Sequence, residues 1–342
     1  MKAAKGTAAA FVSLTLFKCL VYGDSIYLFH TYSSFAFFYI IPYTTEFFNM
    51  NVPYITKSEN GWLTVEGIGD FSVFRTFDCG QCFRFDPVAD PSHKTEVEGI
   101  AFGKYVRFAE DGDGKLYIKS SEEDFNNIWF SYLGFDCDYD MINEKILTSL
   151  SGKDALHMKR AYEASRGIRI LRQDPWEALC SFIISQNNNI PRIKKIISAL
   201  CEKYGEKIEG GYSFPTPEAL MAAGEEAIFE LRTGFRAKYI YDCASKVSSG
   251  ELSLSAVANA PDYESADSML RAVKGVGPKV SACALLFGFA RLDAFPVDVW
   301  IKKVIADRFE NGLDHTLFGE YAGIAQQYLF YYERYVSKPD NN

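Results

Sequence analysis

The sequence predicts an α+β protein in which an N-terminal antiparallel β-sheet domain precedes an all-helical domain. Between Tyr54 and Lys119 the chain consists of short alternating runs separated by Gly and Asp, a pattern typical of antiparallel strands. From Asp124 onward apolar residues recur at helical spacing, for example within residues 190–200. The change of period from two to about 3.6 residues is what separates the two parts.

Domain boundaries follow from the same change of pattern. Residues 1–48 form an apolar N-terminal extension, residues 49–150 the sheet domain with a flanking helix, and residues 151–338 the helical domain. In the helical part, Pro175 and Pro217 each follow a polar residue and mark helix starts. A length of 342 residues with 48% hydrophobic and 23% charged residues suits a two-domain globular protein with a substantial core.

The N-terminal extension has two interpretations. Residues 25–45 contain no Asp, Glu, Lys or Arg, as in a signal peptide or membrane anchor. Pro42 and many Ser, Thr and Tyr residues weaken a spanning helix, and no small-residue cleavage site is clear. The other interpretation is that translation begins at Met50. We expect a cytoplasmic protein without a membrane anchor.

The charge distribution is uneven. A formal net charge of -8 argues mildly against a nucleic-acid partner, because such domains usually carry a basic surface. Residues 157–204, however, carry nine Lys or Arg against four Asp or Glu, and residues 271–303 carry six against two. Positive charge therefore gathers around the two segments that are most informative below.

Eight cysteines are scattered along the chain. Only Cys79 and Cys82 have the close spacing of a metal or redox pair, and no second pair or histidine cluster completes a zinc site. No cysteine follows Cys283, so the sequence lacks a C-terminal cysteine quartet for an iron–sulfur cluster. We expect a reduced protein with no metal and no cofactor.

A glycine-rich turn in the helical part predicts a helix–hairpin–helix. One helix ends near Val273, Gly275 and Gly277 flank Val276, and Pro278 occupies the first position of the next helix. Val276 is expected to pack between the two helices. The glycines leave backbone N–H groups bare at a helix N-terminus, which suits a phosphate. Many ordinary helical turns also contain two glycines, so the turn alone does not decide the function.

Lys279 lies in the first turn of that second helix. The residues that follow are almost all small or apolar, which places its amine at the edge of a dry, electropositive site suited to a nucleophile. A surface lysine with its stem along the protein is the commoner alternative. Cys283, at i+4, falls on the same face. A buried structural thiol is its alternative interpretation.

Asp298 follows residues 295–297 where another helix begins. Aspartate is a favoured N-cap, so capping accounts for it without any chemistry. A capping carboxylate also stays ionised and can stabilise a positive charge that develops nearby. The two roles are compatible.

These segments together resemble a known family. The run Gly275–Lys279 followed by Pro296–Asp298 is similar to the helix–hairpin–helix, Gly/Pro, Asp superfamily of DNA base-excision glycosylases. Further segments resemble its 8-oxoguanine DNA glycosylase branch, namely Cys79–Arg84, Gln173–Glu177, Ser185–Arg192 and Gly234–Tyr239. The resemblance extends from about residue 54 to residue 335.

The resemblance implies a base-excision repair enzyme with glycosylase and abasic-site lyase activity. The target nucleotide is flipped out of the duplex because its glycosidic carbon cannot be reached within the stack. Lys279 matches the nucleophile that attacks C1′ and forms a Schiff base, and Asp298 matches the residue that stabilises the oxocarbenium-like charge. Double-stranded DNA containing 8-oxoguanine is the implied partner. We expect a monomer without an iron–sulfur cluster.

Four positions match residues that recognise the damaged base. Gly80 matches the residue whose carbonyl accepts the N7 hydrogen of 8-oxoguanine, although a hairpin glycine is the alternative interpretation. Cys283 and Phe330 match the two faces that sandwich the flipped base. Gln326 matches the amide that contacts its Watson–Crick edge.

Other positions match DNA-contacting residues. Asn187 matches the asparagine that fills the gap left by the flipped nucleotide, although a helix C-cap is an alternative. Arg192 and Arg236 match arginines that contact the orphaned cytosine, and the Gly275–Gly277 hairpin matches the phosphate contact. The remaining matches depart from the animal pattern and indicate a bacterial-type variant: Phe235 replaces the wedge tyrosine, Gln186 a serine, and Trp300 a histidine that contacts phosphate.

Two alternatives remain open. A glycosylase for other damaged purines would keep the fold and change the substrate. A non-catalytic helix–hairpin–helix DNA-binding protein would use the turn only to hold phosphate and would need neither Lys279 nor Asp298. A third, weaker interpretation takes residues 1–48 as primary and makes the chain a membrane protein.

Overall fold

The computed structural model describes residues 53–337 and, before them, only the backbone of four strands. These are β1 (Ala10–Leu14), β2 (Phe17–Tyr22), β3 (Ser25–Tyr32) and β4 (Phe35–Pro42), which pair antiparallel in sequence order. Residues 1–48 are interpreted either as a membrane anchor or as a segment ahead of a true start at Met50. The side chains of these residues lie outside the described part of the chain. No helix in the described part of the chain has the length and apolar character needed to cross a membrane.

A six-stranded antiparallel sheet follows, as the alternating pattern predicted. Its strands are β5 (Tyr54–Glu59), β6 (Trp62–Glu66), β7 (Phe85–Pro87), β8 (Thr95–Ala101), β9 (Lys104–Glu110) and β10 (Leu116–Lys119), in the spatial order β5-β6-β10-β9-β8-β7. Strands β8 and β9 are joined by Phe102 and Gly103, with φ of 52° and 69°. Two consecutive positive φ values give the tight turn whose twist matches that of the strands.

One face of this sheet builds a core with the segment that follows it. Phe108 from β9 stacks on Tyr132 with ring centroids 6.3 Å apart, and Trp129 meets Phe108 edge to face at 5.7 Å. All three side chains are buried. Each such aromatic contributes about 1.5–3 kcal/mol through burial. The sheet is thereby fixed against the chain segment that leads into the helical part.

The rest of the chain is helical, which confirms the predicted α+β class. The helices are α1 (Val73–Phe77), α2 (Glu122–Asp124), α3 (Phe130–Tyr132), α4 (Tyr139–Thr148), α5 (Gly152–Ser165), α6 (Pro175–Ser185), α7 (Ile190–Tyr204), α8 (Pro217–Ile228), α9 (Ala237–Ser249), α10 (Leu254–Ala258), α11 (Tyr263–Arg271), α12 (Pro278–Gly288), α13 (Val299–Arg308) and α14 (Ala322–Tyr331). Short π and 3₁₀ turns connect or extend several of them, at Phe125–Trp129, Phe229–Thr233, Gly234–Arg236, His315–Tyr321 and Tyr332–Val336. A two-stranded ribbon, β11 (Lys207–Ile208) with β12 (Gly211–Tyr212), lies between α7 and α8.

Polar caps start α6, at the position that the sequence marked with Pro175, and also α7. The Asp174 side chain accepts a hydrogen bond from the backbone N–H of Glu177 at 2.9 Å ahead of α6, and Pro175 occupies the first turn. Asn189 caps α7 in the same way, accepting from the Arg192 N–H at 3.0 Å. Such caps are worth about 1 kcal/mol each. They set where α6 and α7 begin, and the start of α7 marks the end of the loop between these helices.

A buried glutamine joins the sheet part to the helical part. The Gln81 side-chain Nε2 donates to the carbonyls of Thr76 at 2.8 Å and Arg169 at 2.9 Å, while its Oε1 accepts from the Leu171 N–H at 2.9 Å. Nε2 also donates to the Cys79 Sγ at 3.3 Å, and the other hydrogen bonds of this buried amide reach backbone, which fixes it strongly. The turn at residues 79–82 is held in one position relative to the chain that enters α6.

Candidate active site

A cavity of about 850 Å³ opens between α12, the loop that joins α6 to α7, the turn at residues 79–80 and α14. It gathers residues from distant parts of the chain. Most of the predicted site residues line it, namely Gly80, Asn187, Phe235, Gly275, Gly277, Lys279, Cys283, Asp298, Trp300, Gln326 and Phe330. Val276, Arg192 and Arg236 do not line the cavity.

Lys279 lies inside the cavity rather than along the outer surface. Its Nζ is 3.4 Å from the Ser185 hydroxyl oxygen and 5.6 Å from the centroid of the Phe182 ring. Within residues 53–337 the amine forms no ion pair with a carboxylate. The amine is held by a hydroxyl and an aromatic face, and it is not neutralised by an acid.

Asp298 uses one of its carboxylate oxygens as a cap. Its Oδ1 accepts hydrogen bonds from the backbone N–H groups of Trp300 at 3.0 Å and Ile301 at 2.9 Å, at the start of α13. Its Oδ2 accepts no hydrogen bond from the residues that the structure describes. The cap fixes the carboxylate at the cavity wall and leaves a second oxygen available for a developing positive charge.

The hairpin between α11 and α12 has the expected conformation. Gly275 has φ of 78°, Val276 is buried, and Gly277 stands at the N-cap of α12. Among the described residues, the N–H groups of Gly275 and Gly277 have no acceptor. These bare amides at a helix N-terminus form a site that can bind an anion.

The two hairpin glycines should respond differently to alanine. A Cβ on Gly275 would lie 2.5 Å from the Tyr239 ring, whereas one on Gly277 would meet nothing within 4 Å. We expect Gly275→Ala to lower the free energy of unfolding by roughly 2–4 kcal/mol, through the positive φ and the clash. Gly277→Ala should lower it by no more than about 1 kcal/mol. Denaturant unfolding of both variants checks this, and equal losses would contradict the assignment.

Gly80 lines the cavity at the turn that follows α1. Gly80 has φ of 80°, and its neighbours on both sides have their carbonyls occupied: Cys79 accepts from Gln327 Nε2 at 3.0 Å and Gln81 from Gln173 Nε2 at 2.6 Å. Within residues 53–337 the Gly80 carbonyl itself accepts no hydrogen bond. Hydrogen bonds to the carbonyls of Cys79 and Gln81 fix the backbone on both sides of Gly80. The Gly80 carbonyl is therefore held in place and can accept a hydrogen bond from a ligand.

The opposite walls of the cavity combine apolar faces with one amide. Cys283 is buried, and burial raises the pKa of its thiol, an effect that the positive charge of Lys279 partly offsets. Phe330 lies beside Gly80, with its ring Cε1 3.7 Å from the position of a Cβ there. Gln326 is 4% exposed, and its Oε1 has no hydrogen-bond partner. A buried amide oxygen without a donor is costly, so the geometry favours a ligand donor at this position.

The Cys79 and Cys82 thiols do not form a reactive pair. Both cysteines are buried and free, and burial raises the pKa of Cys79 to about 12 and that of Cys82 well above its usual range. Protonated, buried thiols are inert as metal ligands and as nucleophiles. Among the described residues, no group of three or more His, Cys, Asp or Glu side chains could hold a metal.

Exposed groups surround the mouth of the cavity. Asn187 has φ of 47° and is exposed at the tip of the α6–α7 loop, and Phe235 is 48% exposed beside it on the cavity rim. Arg192 is exposed, with one guanidinium nitrogen 3.4 Å from the Arg232 carbonyl. A non-glycine residue at positive φ is uncommon and points to a constrained, functional loop.

Arg236 is placed behind this loop rather than on the cavity wall. It is 3% exposed, and its guanidinium donates to the carbonyls of Gln186 at 2.9 Å, Asn187 at 3.0 Å and Thr233 at 3.2 Å. Its Cζ also stacks 4.4 Å from the centroid of the Phe235 ring. The side chain therefore supports Asn187 and Phe235, and a direct contact of Arg236 with an orphaned base stays a prediction.

Sequence reasoning missed several groups that complete the site. Ser185 and Phe182 hold the Lys279 amine, Gln327 tethers the turn at Gly80, and Arg334 lines the cavity next to Phe330. Phe182 and Ser185 could have been found from the sequence, because both lie on the predicted helix immediately before the three asparagines at residues 187–189. Gln327 and Arg334 carry no local signal for the site, because their approach to the turn at residues 79–80 joins positions more than two hundred apart in sequence.

Comparison with known proteins shows two family matches along the chain. Residues 66–179 match the profile of the 8-oxoguanine DNA glycosylase N-terminal domain, and residues 180–311 match that of the HhH-GPD superfamily base excision DNA repair proteins. The N-glycosylase/DNA lyase of Saccharomyces cerevisiae is 39% identical over 41% of this chain, which spans 41% of the yeast protein. A probable N-glycosylase/DNA lyase of Methanothermobacter thermautotrophicus is 30% identical over 58% of this chain and 72% of its own length.

A solved structure extends the similarity to the whole described fold. The 8-oxoguanine glycosylase/lyase of Clostridium acetobutylicum, in complex with double-stranded DNA containing cytosine opposite 8-oxoguanine, is 36% identical to this chain. The match has a TM-score of 0.75 and covers 83% of this chain and 99% of the clostridial one.

Proposed function

Because the chain belongs to the 8-oxoguanine DNA glycosylase family of the HhH-GPD superfamily, we propose that it excises 8-oxoguanine from duplex DNA and then cleaves the strand as a lyase. The observation that carries this proposal is the cavity in which Lys279, Asp298 and the base-recognition residues meet. A protein that only bound DNA through its hairpin would need no buried cavity with an unpaired amine. The excision chemistry therefore centres on Lys279.

Lys279 acts as the nucleophile. After the lesion nucleotide is flipped into the cavity, the neutral amine attacks C1′ and the bond from C1′ to the base nitrogen breaks, so the electron pair leaves with the base. Loss of a proton from the nitrogen and opening of the sugar give a Schiff base between Nζ and C1′. Removal of a C2′ proton then expels the 3′ phosphate by β-elimination, which nicks the strand.

Asp298 places the negative charge of its carboxylate near C1′. As the base leaves, positive charge develops on the sugar ring, and the Oδ2 that the cap leaves unused can stabilise it. Ser185 and Phe182 position the amine without neutralising it, since one contributes a hydroxyl and the other a ring face. In this cavity, Ser185 and Phe182 position the nucleophile, and Asp298 stabilises the positive charge on the sugar.

Lesion recognition follows from the chemistry of the walls. The Gly80 carbonyl accepts the N7 hydrogen of 8-oxoguanine, whereas guanine offers a lone pair there that would repel the carbonyl. Cys283 and Phe330 contact the two faces of the flipped base. The unpartnered Oε1 of Gln326 accepts from its Watson–Crick edge.

The DNA duplex is held outside the cavity. The bare amides of the Gly275–Gly277 hairpin bind a backbone phosphate, and Trp300 lies close to a second one. Asn187 enters the gap left by the flipped nucleotide, and Phe235 wedges beside it. Arg192 reaches the orphaned base, and Arg236 supports this loop and approaches the same base.

Other properties stay predictions. We expect the enzyme to work as a monomer in the cytoplasm without an iron–sulfur cluster, and the boundaries near residues 48 and 150 are part of the same expectation. A reducing compartment agrees with the buried free thiols of the described residues.

Excision measured across a panel of duplexes tests the proposed function. Under single-turnover conditions we expect release of 8-oxoguanine opposite each of the four bases to be faster than release of an alkylated purine such as 3-methyladenine. Preferential release of the alkylated base would favour the other-purine alternative. Tight binding without release of any base would favour a non-catalytic protein.

Gly80→Ala should impair lesion recognition. The added Cβ would strain a backbone at φ of 80° and sit 3.7 Å from the Phe330 ring, which shifts the carbonyl and narrows the cavity. We expect single-turnover excision of 8-oxoguanine to fall roughly 10- to 100-fold, the effect of losing a well-placed hydrogen bond and its fit.

Gly103→Ala is the matched control for backbone strain. Gly103 has φ of 69° and has nothing within 4 Å of an added Cβ, in a turn away from the cavity. We expect Gly103→Ala to lower the free energy of unfolding about as much as Gly80→Ala does, while its rate of 8-oxoguanine excision stays near that of the parent enzyme. Equal losses of excision in the two variants would refute the role of the Gly80 carbonyl.

A further inference from the structure

Arg334 is a charged group in the cavity that the mechanism above does not use. It lies in the π turn that continues α14, and its guanidinium Cζ stacks 5.5 Å from the centroid of the Phe330 ring and 5.2 Å from that of Tyr335. Across residues 53–337, Arg334 forms no ion pair and donates no hydrogen bond. Two rings hold the guanidinium plane while its N–H donors stay available.

This guanidinium lies next to the acceptor proposed for the lesion. One of its terminal nitrogens is 3.9 Å from the position of a Cβ on Gly80, and the Phe330 ring is 3.7 Å from the same point. The Gly80 carbonyl has no donor, as shown above. Gly80, whose carbonyl is unused, and an unused charged donor therefore lie side by side among the residues that line the cavity.

The exposed edge of 8-oxoguanine has the complementary arrangement. Its N7–H is a donor, and the oxygen on the adjacent C8 is an acceptor. Guanine presents at N7 a lone pair that would repel the Gly80 carbonyl, and at C8 only a C–H, so a donor placed at C8 would lack its partner there. A hydrogen bond from a charged donor is stronger than a neutral one, and leaving such a donor unpaired in a closed site is costly.

We propose that Arg334 donates a hydrogen bond to the C8 oxygen of the flipped base and is a second determinant of lesion selection beside Gly80. This inference rests on the proposed function, because it requires 8-oxoguanine in the cavity. Stacking on Phe330 couples the two contacts, since the ring that covers the base also orients the guanidinium.

A contact with a DNA phosphate is the competing role for Arg334. A phosphate contact would act on any duplex with a flipped site, and its loss in a variant would reduce the salt dependence of binding by about one counterion. A duplex carrying a tetrahydrofuran abasic analogue keeps the phosphates and lacks the base. The two roles therefore separate when excision and abasic-site affinity are measured on the same variants.

The test uses Arg334→Leu and Arg334→Lys in the full chain, with Arg160→Leu as the charge-matched control. Arg160 is exposed on α5 and does not line the cavity. We expect Arg334→Leu to lower single-turnover excision of 8-oxoguanine by roughly 10- to 100-fold. Its affinity for the tetrahydrofuran duplex should stay within about twofold of that of Arg160→Leu. Arg334→Lys, which keeps the charge and loses the planar fork, should show an intermediate loss of excision.

Two results would overturn the inference. A parallel fall of excision and tetrahydrofuran affinity, with a reduced salt slope, would assign Arg334 to a phosphate. Parent-like excision by a folded Arg334→Leu would remove it from recognition altogether. If Arg334→Leu does not fold, the comparison of Arg334→Lys with the parent decides the same question, because a phosphate contact tolerates lysine. Failure of the parent enzyme to release 8-oxoguanine would instead contradict the proposed function.

Discussion

Replacement of Lys279 by glutamine is expected to abolish base excision and strand cleavage while DNA binding persists. Glutamine is one atom shorter than lysine and still carries an N–H donor, but its amide cannot attack C1′. We expect single-turnover excision to fall by roughly 10⁴-fold or more, as when the nucleophile of other covalent catalysts is removed. Affinity for a tetrahydrofuran duplex should change by only a few-fold. Parallel excision and binding measurements check both statements.

Lys302 provides the control for this substitution. It is the other lysine among the residues that line the cavity, so Lys302→Gln removes the same charge from the same space. We expect its excision rate to fall by no more than about tenfold, in line with a lost phosphate attraction. An equal loss in the two variants would show that charge, and not nucleophilicity, is what Lys279 supplies.

Asp298→Asn is expected to separate capping from catalysis. Asparagine is as good an N-cap as aspartate, so α13 should keep its start and the melting temperature should change little. The carboxylate charge is lost, however, and with it the stabilisation of the sugar cation. We expect excision to fall by roughly 10²- to 10³-fold. Thermal unfolding and single-turnover excision on the same preparation measure the two effects.

Asp298→Ala completes this comparison. It removes both the charge and the cap, so it should add a loss of about 1 kcal/mol of stability to the catalytic defect. If Asp298→Asn instead keeps nearly full excision while Asp298→Ala loses activity together with stability, Asp298 is only a cap.

The parts of the site that could be predicted from sequence have local causes. The two-residue period before residue 120, the glycine turn ahead of Lys279 and the capping position of Asp298 depend on neighbours a few residues away. Such patterns determine backbone conformation directly. The φ preference of a residue, helix capping and the alternation of buried and exposed side chains all depend on neighbours a few residues away in sequence. The α+β class and the helix–hairpin–helix followed from them.

Other features depend on contacts that no local pattern records. Gln327 tethers the Cys79 carbonyl across 248 positions of sequence, and this contact determines which carbonyl at the turn stays unused. The fold directs the Arg236 guanidinium at the carbonyls of Gln186 and Asn187, a support for this loop that no local pattern indicates. Gly275 and Gly277 are the same residue type two positions apart, yet only Gly275 packs against a ring. Packing between distant segments decides these cases.

Borohydride trapping followed by peptide mapping tests the central claim most directly. The enzyme is incubated with a duplex containing 8-oxoguanine, the Schiff base is reduced, and the peptide that carries the sugar is identified by mass spectrometry. We expect one adduct, on the Nζ of Lys279, and none with Lys279→Gln. An adduct on another amine, or full excision with no adduct on Lys279, would contradict it.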